Sequence, residues 1–288
     1  MRLDDLRPSD NVDDRRGRGG FGGRPLAIGG GGLGLVGIVL VSLLLGVDPT
    51  TLLSGGDLGA PMDQQTSQGP RADDTSMDLS RRVMGSAEDV WSTILAERNI
   101  RFQPATFTPY DYQTNTGCGG GEAAMGPFYC PADGRVYVDL SFFNELATKF
   151  GSPGQFAQAY VIAHEYGHHI QNLLGTSDQV QQAMQRGDRS GAGSASVRLE
   201  LQADCYAGVW AQRADQQFHM LESGDVEGGL RAASAVGDDT LQKQSQGRVV
   251  PDAFTHGTSA QRVKWFQRGL ADGDMTACNT FNVSNAAL

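Results

Sequence analysis

The run His164-Glu165-Tyr166-Gly167-His168 constrains this 288-residue chain more than any other feature. On a helix of 3.6 residues per turn, the two histidines sit one turn apart on one face. Both imidazoles can then reach a single zinc ion at about 2.0–2.1 Å. Glu165 lies about 100° round the helix, beside the ion rather than on it, where it suits a general base acting on zinc-bound water. The flanking sequence favours a helix. Ser152-Pro153-Gly154-Gln155 has a capping-box layout with Pro at the first helical position, and Gly175 follows Leu174 as a stop. With five histidines in the chain, a chance HExxH has a probability well below about one in a hundred.

Catalytic zinc usually takes three protein ligands and keeps one position open. A third histidine at the end of an extended HExxHxxGxxH motif is ruled out, because residues 171 and 174 are Gln171 and Leu174. A second long helix, over about 196–217, offers Glu200 and Asp204 one turn apart. Glu200 is read as the third ligand. Asp204 is read as the carboxylate that accepts the free ring N–H of a ligand histidine and so fixes its orientation. Asp204 as ligand in place of Glu200 is the rival arrangement. His169 points about 100° away from His168 and is assigned to the surface or to an outer position, and His219 to the surface.

The sequence AHEYGHHIQ (163–171), followed by ELQADCYAG (200–208), resembles the bacterial neutral zinc metallopeptidases, a HExxH group related to the gluzincins. The likeness covers most of residues 80–285 and includes YCPADGRVYVD (129–139) and THGTSAQRVKWFQRG (255–269). It implies a zincin-like metallopeptidase domain with one zinc ion per chain and a protein or peptide substrate, cleaved as by an endopeptidase. It also implies a distant residue that steadies the tetrahedral oxyanion, and His256 is the candidate for that role. Helix capping is the alternative role for His256.

The remaining sequence reads as α+β, with a small sheet followed by a helix-rich C-terminal half. Ser86-Ala87-Glu88-Asp89 has the features of a helix start. Arg135–Leu140 alternates as a half-buried strand, and such a strand can hold a substrate backbone if it lies at a sheet edge. Further helices are expected near 225–244 and 258–270.

Residues 26–47 carry no charge over 22 positions, long enough to span a hydrocarbon layer of about 30 Å. Arg15, Arg16, Arg18 and Arg24 precede this run, and no Lys or Arg follows it before Arg71. The positive-inside rule then predicts one transmembrane helix with a cytoplasmic N-terminus and an extracytoplasmic catalytic domain, periplasmic or extracellular. The rival is a cleaved signal peptide, but residues 48–62 lack a convincing cleavage site. The expected organisation is a disordered tail over 1–25, the span over 26–47, a flexible linker over 48–80 and the peptidase domain over 81–288.

The net charge is -10, the opposite of the basic surplus of a nucleic-acid binder, which excludes that class. The four cysteines suggest two disulfides in an oxidising compartment. Cys118 and Cys130 flank a Gly-rich loop and are paired, which leaves Cys205 with Cys278. Closing a loop of the first size stabilises by about 3 kcal/mol. Two other function classes remain open: a zinc hydrolase of a non-peptide amide, and a non-catalytic interaction module of the cell envelope that keeps a structural zinc.

Overall fold

A computed structural model describes residues 1–17 and 74–288 of the chain. After helix α1 (Asp74–Ala96) come five short strands: β1 (Thr106–Tyr110), β2 (Gln113–Thr116), β3 (Gly119–Glu122), β4 (Phe128–Cys130) and β5 (Arg135–Asp139). Seven helices follow: α2 (Phe142–Thr148), α3 (Gln155–Leu173), α4 (Thr176–Gln185), α5 (Ala195–Phe218), α6 (Asp225–Ala235), α7 (Asp238–Gln246) and α8 (Ser259–Asp272). The α+β class with a small sheet and a helical C-terminal half is therefore the observed one.

β1, β5 and β4 form one sheet in that order, with β5 parallel to β1 and antiparallel to β4. β5 is thus interior to the sheet, and its backbone is already paired on both sides. The idea that Arg135–Leu140 binds a substrate strand is overturned on that ground. β4 is the edge of the sheet on this side, and β2 and β3 form a separate hairpin.

Three long helices carry the core. α3 and α5 lie against each other, and α8 packs along α5, with Trp210, Phe156, Tyr160, Trp265 and Phe266 buried among them. Glycines set how closely these helices approach. A Cβ on Gly269 would run into the backbone carbonyl of Cys205, so α8 can cross α5 only with no side chain there. A Cβ on Gly167 would lie 3.0 Å from the Ala203 carbonyl oxygen. The glycine inside the HExxH run thus lets α5 come within reach of the two histidines.

Several boundaries differ from expectation. α1 begins at Asp74, twelve residues before Ser86. Ser86 is not a cap; its buried hydroxyl donates to the Val83 carbonyl and accepts from Trp210 Nε1. The predicted capping box at Ser152 does not form, because Gly154 occupies the N-cap position with a φ of 114° and Ser152 Oγ instead reaches the Phe150 carbonyl. The helix expected near 225–244 is two helices, α6 and α7.

The N-terminal residues require a larger correction. Leu6 is 1% exposed within the main core. Glu88 on α1 is buried and accepts hydrogen bonds from Arg7 Nη2 at 2.9 Å, Ser9 Oγ at 2.5 Å and Asn11 Nδ2 at 2.9 Å. Residues 11–15 then run alongside β1: Phe107 N–H donates to the Asn11 carbonyl, Asp13 N–H to the Phe107 carbonyl and Arg15 N–H to the Pro109 carbonyl. This segment, expected as a disordered tail, instead covers the free edge of β1. Polar pairs hold it there together with buried Leu6 and the partly buried Met1, Leu3 and Val12, which are too scattered to form the apolar run that would have marked it in the sequence.

That packing overturns the single-pass arrangement. Residues 1–17 and 74–288 lie in one folded unit, so one crossing between them cannot put them on opposite faces of a membrane. Among the described residues, no helix is long and apolar enough to cross a membrane. The uncharged run 26–47 and most of the expected linker lie outside the described residues. The predicted transmembrane anchor and the divided cytoplasmic and extracytoplasmic location are corrected accordingly.

Both expected disulfides are formed, Cys118–Cys130 beside the β2–β3 hairpin and Cys205–Cys278 between α5 and the C-terminal segment.

Candidate metal centre

His164 and His168 project from α3 into a cleft whose far wall is α5. Glu200 on α5 meets both of them. Its Oε2 lies 3.2 Å from His164 Nε2 and its Oε1 3.5 Å from His168 Nε2. One donor atom from each residue lies within 4.8 Å of the others. Two imidazole nitrogens and a carboxylate oxygen make the donor set that tetrahedral zinc accepts with a position left open. The residues present therefore fit a zinc ion. Of the two acids that the spacing offered on α5, Glu200 faces the histidine pair through their Nε2 atoms, and Asp204 stands behind His164.

Asp204 is fully buried and has four polar contacts. Its Oδ1 lies 2.8 Å from His164 Nδ1 and accepts from Tyr160 Oη at 2.5 Å and from Arg262 Nη2 at 2.9 Å. Its Oδ2 accepts from Arg262 Nε at 2.8 Å. Burial works to raise the Asp204 carboxyl pKa, but the Arg262 guanidinium and then His164 outweigh it and hold the group at about 2. An ionised Asp204 keeps the His164 proton on Nδ1 and leaves Nε2 to face Glu200. For His164, burial works to lower the pKa, and Asp204 followed by Glu200 overrides it, giving about 9. The second proton that this value implies sits on Nε2, where a metal would compete with it. Glu200 is held well below the usual carboxylate range: burial opposes this, and the charges of His168 and His256 prevail.

Glu165 lines the same cleft and is 8% exposed. Burial pushes its carboxyl up, against the opposing pull of His164 and His168 and of the Tyr129 backbone N–H. That N–H belongs to the edge strand β4, so β4 runs directly beside Glu165.

His256 also lines the cleft, at 6% exposure. Asp238, the first residue of α7, gathers its loop. Asp238 Oδ2 accepts from the backbone N–H groups of Thr255, His256 and Gly257 at 2.7, 2.7 and 3.1 Å, and Oδ1 lies 3.3 Å from His256 Nδ1. Thr255 Oγ1 is 2.8 Å from the same Nδ1. With Nδ1 engaged, His256 has Nε2 left for the cleft. His256 does not cap α8; Thr258 does, in a capping box with Gln261.

His169 is buried rather than exposed. Its Nε2 contacts the Gln103 carbonyl at 2.7 Å and its Nδ1 the Tyr129 hydroxyl at 3.1 Å, which pins β4 to α3. The cleft has a volume of about 220 Å³, and Phe128, Phe142, Phe150 and Met125 are among the apolar residues that line it.

Sequence reasoning did not find Arg262, Tyr160, Asp238 or Gln171 among the functional residues. Tyr160 precedes His164 by one turn and Gln171 follows His168 by three residues, so helical spacing offered a signal for both. Arg262 and Asp238 carried no comparable local signal.

The family described as "Putative neutral zinc metallopeptidase" matches residues 1–281 of the chain. Uncharacterized protein YpfJ of Escherichia coli K12 is 48% identical over 292 residues, covering 99% of this chain and 100% of that protein. Uncharacterized protein Rv2575 of Mycobacterium tuberculosis H37Rv is 42% identical over 269 residues, covering 85% of this chain and 86% of that protein. No solved structure matches the chain.

Proposed function

The chain belongs to the neutral zinc metallopeptidase family, and from that premise we propose that it is a zinc-dependent endopeptidase with His164, His168 and Glu200 as metal ligands and Glu165 as general base. One observation carries the reading: a buried carboxylate, Glu165, stands in the cleft beside the three-donor cluster without belonging to it. A purely structural zinc site has no use for that extra acid.

A zinc ion held by the three ligands would supply Lewis acidity toward the scissile carbonyl and acidify a water molecule. Glu165 takes up a proton from the attacking water and later hands it to the leaving amine. A carboxyl raised by burial is suited to both halves of that transfer. Asp204 keeps the His164 ring oriented with its Nδ1 hydrogen turned away from the metal. His256, its Nδ1 tied to Asp238 and Thr255, directs Nε2 into the cleft and donates a hydrogen bond to the oxygen on which negative charge develops. The edge of β4, next to Glu165, offers backbone groups along which an extended peptide can lie.

Replacing Glu165 by Gln tests the assignment. The Glu165→Gln protein is expected to bind zinc as the parent does and to lose on the order of 10²–10⁴-fold in turnover of casein. Cleavage by that variant at the parental rate would rule Glu165 out as the base.

A further inference from the structure

Among the described residues, an amide rather than a carboxylate stands behind His168. The amide of Gln171, which is fully buried on α3, has its Oε1 2.8 Å from His168 Nδ1. Gln171 Nε2 donates to the Leu199 carbonyl at 2.7 Å and to Gln202 Oε1 at 3.1 Å. Gln202 Nε2 in turn donates to the Cys278 carbonyl at 3.1 Å. We infer that Gln171 and Gln202 are positioning residues for the metal site, forming a relay of two side-chain amides that sets His168 with its hydrogen on Nδ1 and its Nε2 lone pair open. The inference rests on the reading of His164, His168 and Glu200 as zinc ligands.

The polarity of the relay follows from its ends. Backbone carbonyls only accept, so the oxygens of Leu199 and Cys278 demand that each amide turn its nitrogen toward them. With its nitrogen committed, Gln202 presents Oε1 to Gln171. Gln171, with both N–H groups used, presents Oε1 to His168. That oxygen also only accepts, so the hydrogen must be on His168 Nδ1. In the neutral imidazole Nε2 is then bare, and it is this nitrogen that lies 3.5 Å from Glu200 Oε1. Flipping either amide would set oxygen against oxygen in a buried place.

The far end is braced as well. Cys278 is bonded to Cys205, which lies three residues after Gln202 on the same face of α5. The disulfide and the Gln202 amide therefore grip one residue, and the position of a buried disulfide is passed through two amides to a histidine at the cleft. The two histidines are thus oriented by different means: His164 by an ion pair reaching to α8, His168 by a neutral relay reaching to the C-terminal segment.

The test uses the full chain labelled with ¹⁵N. The imidazole nitrogens of His168 are observed by NMR after chelator treatment, and zinc affinity is then measured by competition with a chelator of known strength. The relay predicts the Nδ1–H tautomer in the parent protein. Gln171→Leu is expected to populate the Nε2–H tautomer and to weaken zinc binding about 10–100-fold. Gln202→Leu, which removes no contact of His168, is expected to move both readouts in the same direction, with the double substitution less than additive. An Nε2–H tautomer in the parent overturns the relay without needing any variant. So does a Gln202→Leu protein that melts lower yet keeps the parental tautomer and affinity. A parent with the Nδ1–H tautomer that binds no zinc would instead sink the metal reading on which the inference stands.

Discussion

Arg262 and Asp204 form a two-point ion pair, Nε to Oδ2 at 2.8 Å and Nη2 to Oδ1 at 2.9 Å, with both side chains buried between α8 and α5. Two-point pairing in a fixed geometry is what a guanidinium offers and an ammonium does not. Here it holds the carboxylate that orients His164. Removing one partner of such a pair leaves a buried charge uncompensated, at a cost of about 3–5 kcal/mol. Asp204→Asn is therefore expected to lower stability by about that amount in denaturant unfolding and to weaken zinc binding about 10–100-fold. Arg262→Lys is expected to weaken zinc binding in the same direction, since Lys supplies no fork. Parental zinc affinity in both variants would mean that the pair serves packing alone.

A second prediction concerns the loop carrying His256. Burial works to raise the Asp238 carboxyl, and the hydrogen bond from His256 followed by the backbone N–H groups of His256 and Thr255 brings it below its ordinary value. For His256, burial works to lower the pKa, and the charge of Glu200 followed by Asp238 raises it. The signs set a window. The depressed acid stabilises above its unfolded pKa of about 3.9 and loses that contribution as pH falls through its folded value. The raised imidazole stabilises below its unfolded pKa of about 6.5 and loses that contribution as pH rises through its folded value. Hydrogen exchange at the Thr255, His256 and Gly257 amides, with the intrinsic rate divided out, is expected to be slowest between these limits and faster on both sides. Asp238→Asn is expected to flatten the profile.

The N-terminal segment supports a third. Leu6 is buried at 1% exposure within the main core, so Leu6→Ala is expected to destabilise by about 2–5 kcal/mol. Glu88→Ala removes the acceptor shared by Arg7, Ser9 and Asn11. It is expected to release residues 1–16 to limited proteolysis while the ligand cluster keeps its zinc. An unchanged melting temperature in the Leu6→Ala variant would contradict the docked segment.

The contrast between these residues shows what the sequence made legible. His164, His168, Glu200 and Asp204 lie at one-turn spacings within single helices, and the 3.6-residue period alone was enough to place each pair on one face. Disulfide pairing followed from the closeness of Cys118 to Cys130. Arg262 and Asp238 were out of reach because each meets its partners only when separate helices pack. The approach of those helices depends on Gly167 and Gly269, whose role is an absence of atoms. The N-terminal segment was misread because its Arg and Asp residues have the composition of a solvated tail, whereas Glu88 and the edge of β1 supply the partners that bury it. The uncharged run after it was then read as dividing two compartments, although residues 1–17 and 74–288 belong to one folded unit.

The central claim is tested most directly by measuring metal content and hydrolysis of unfolded casein on the same purified preparation, before and after chelator treatment and after zinc is returned. The account predicts one zinc ion per chain, loss of cleavage on stripping, its return with zinc, and neither zinc nor cleavage in a Glu200→Ala protein that remains folded. Cleavage that survives complete removal of the metal would contradict it.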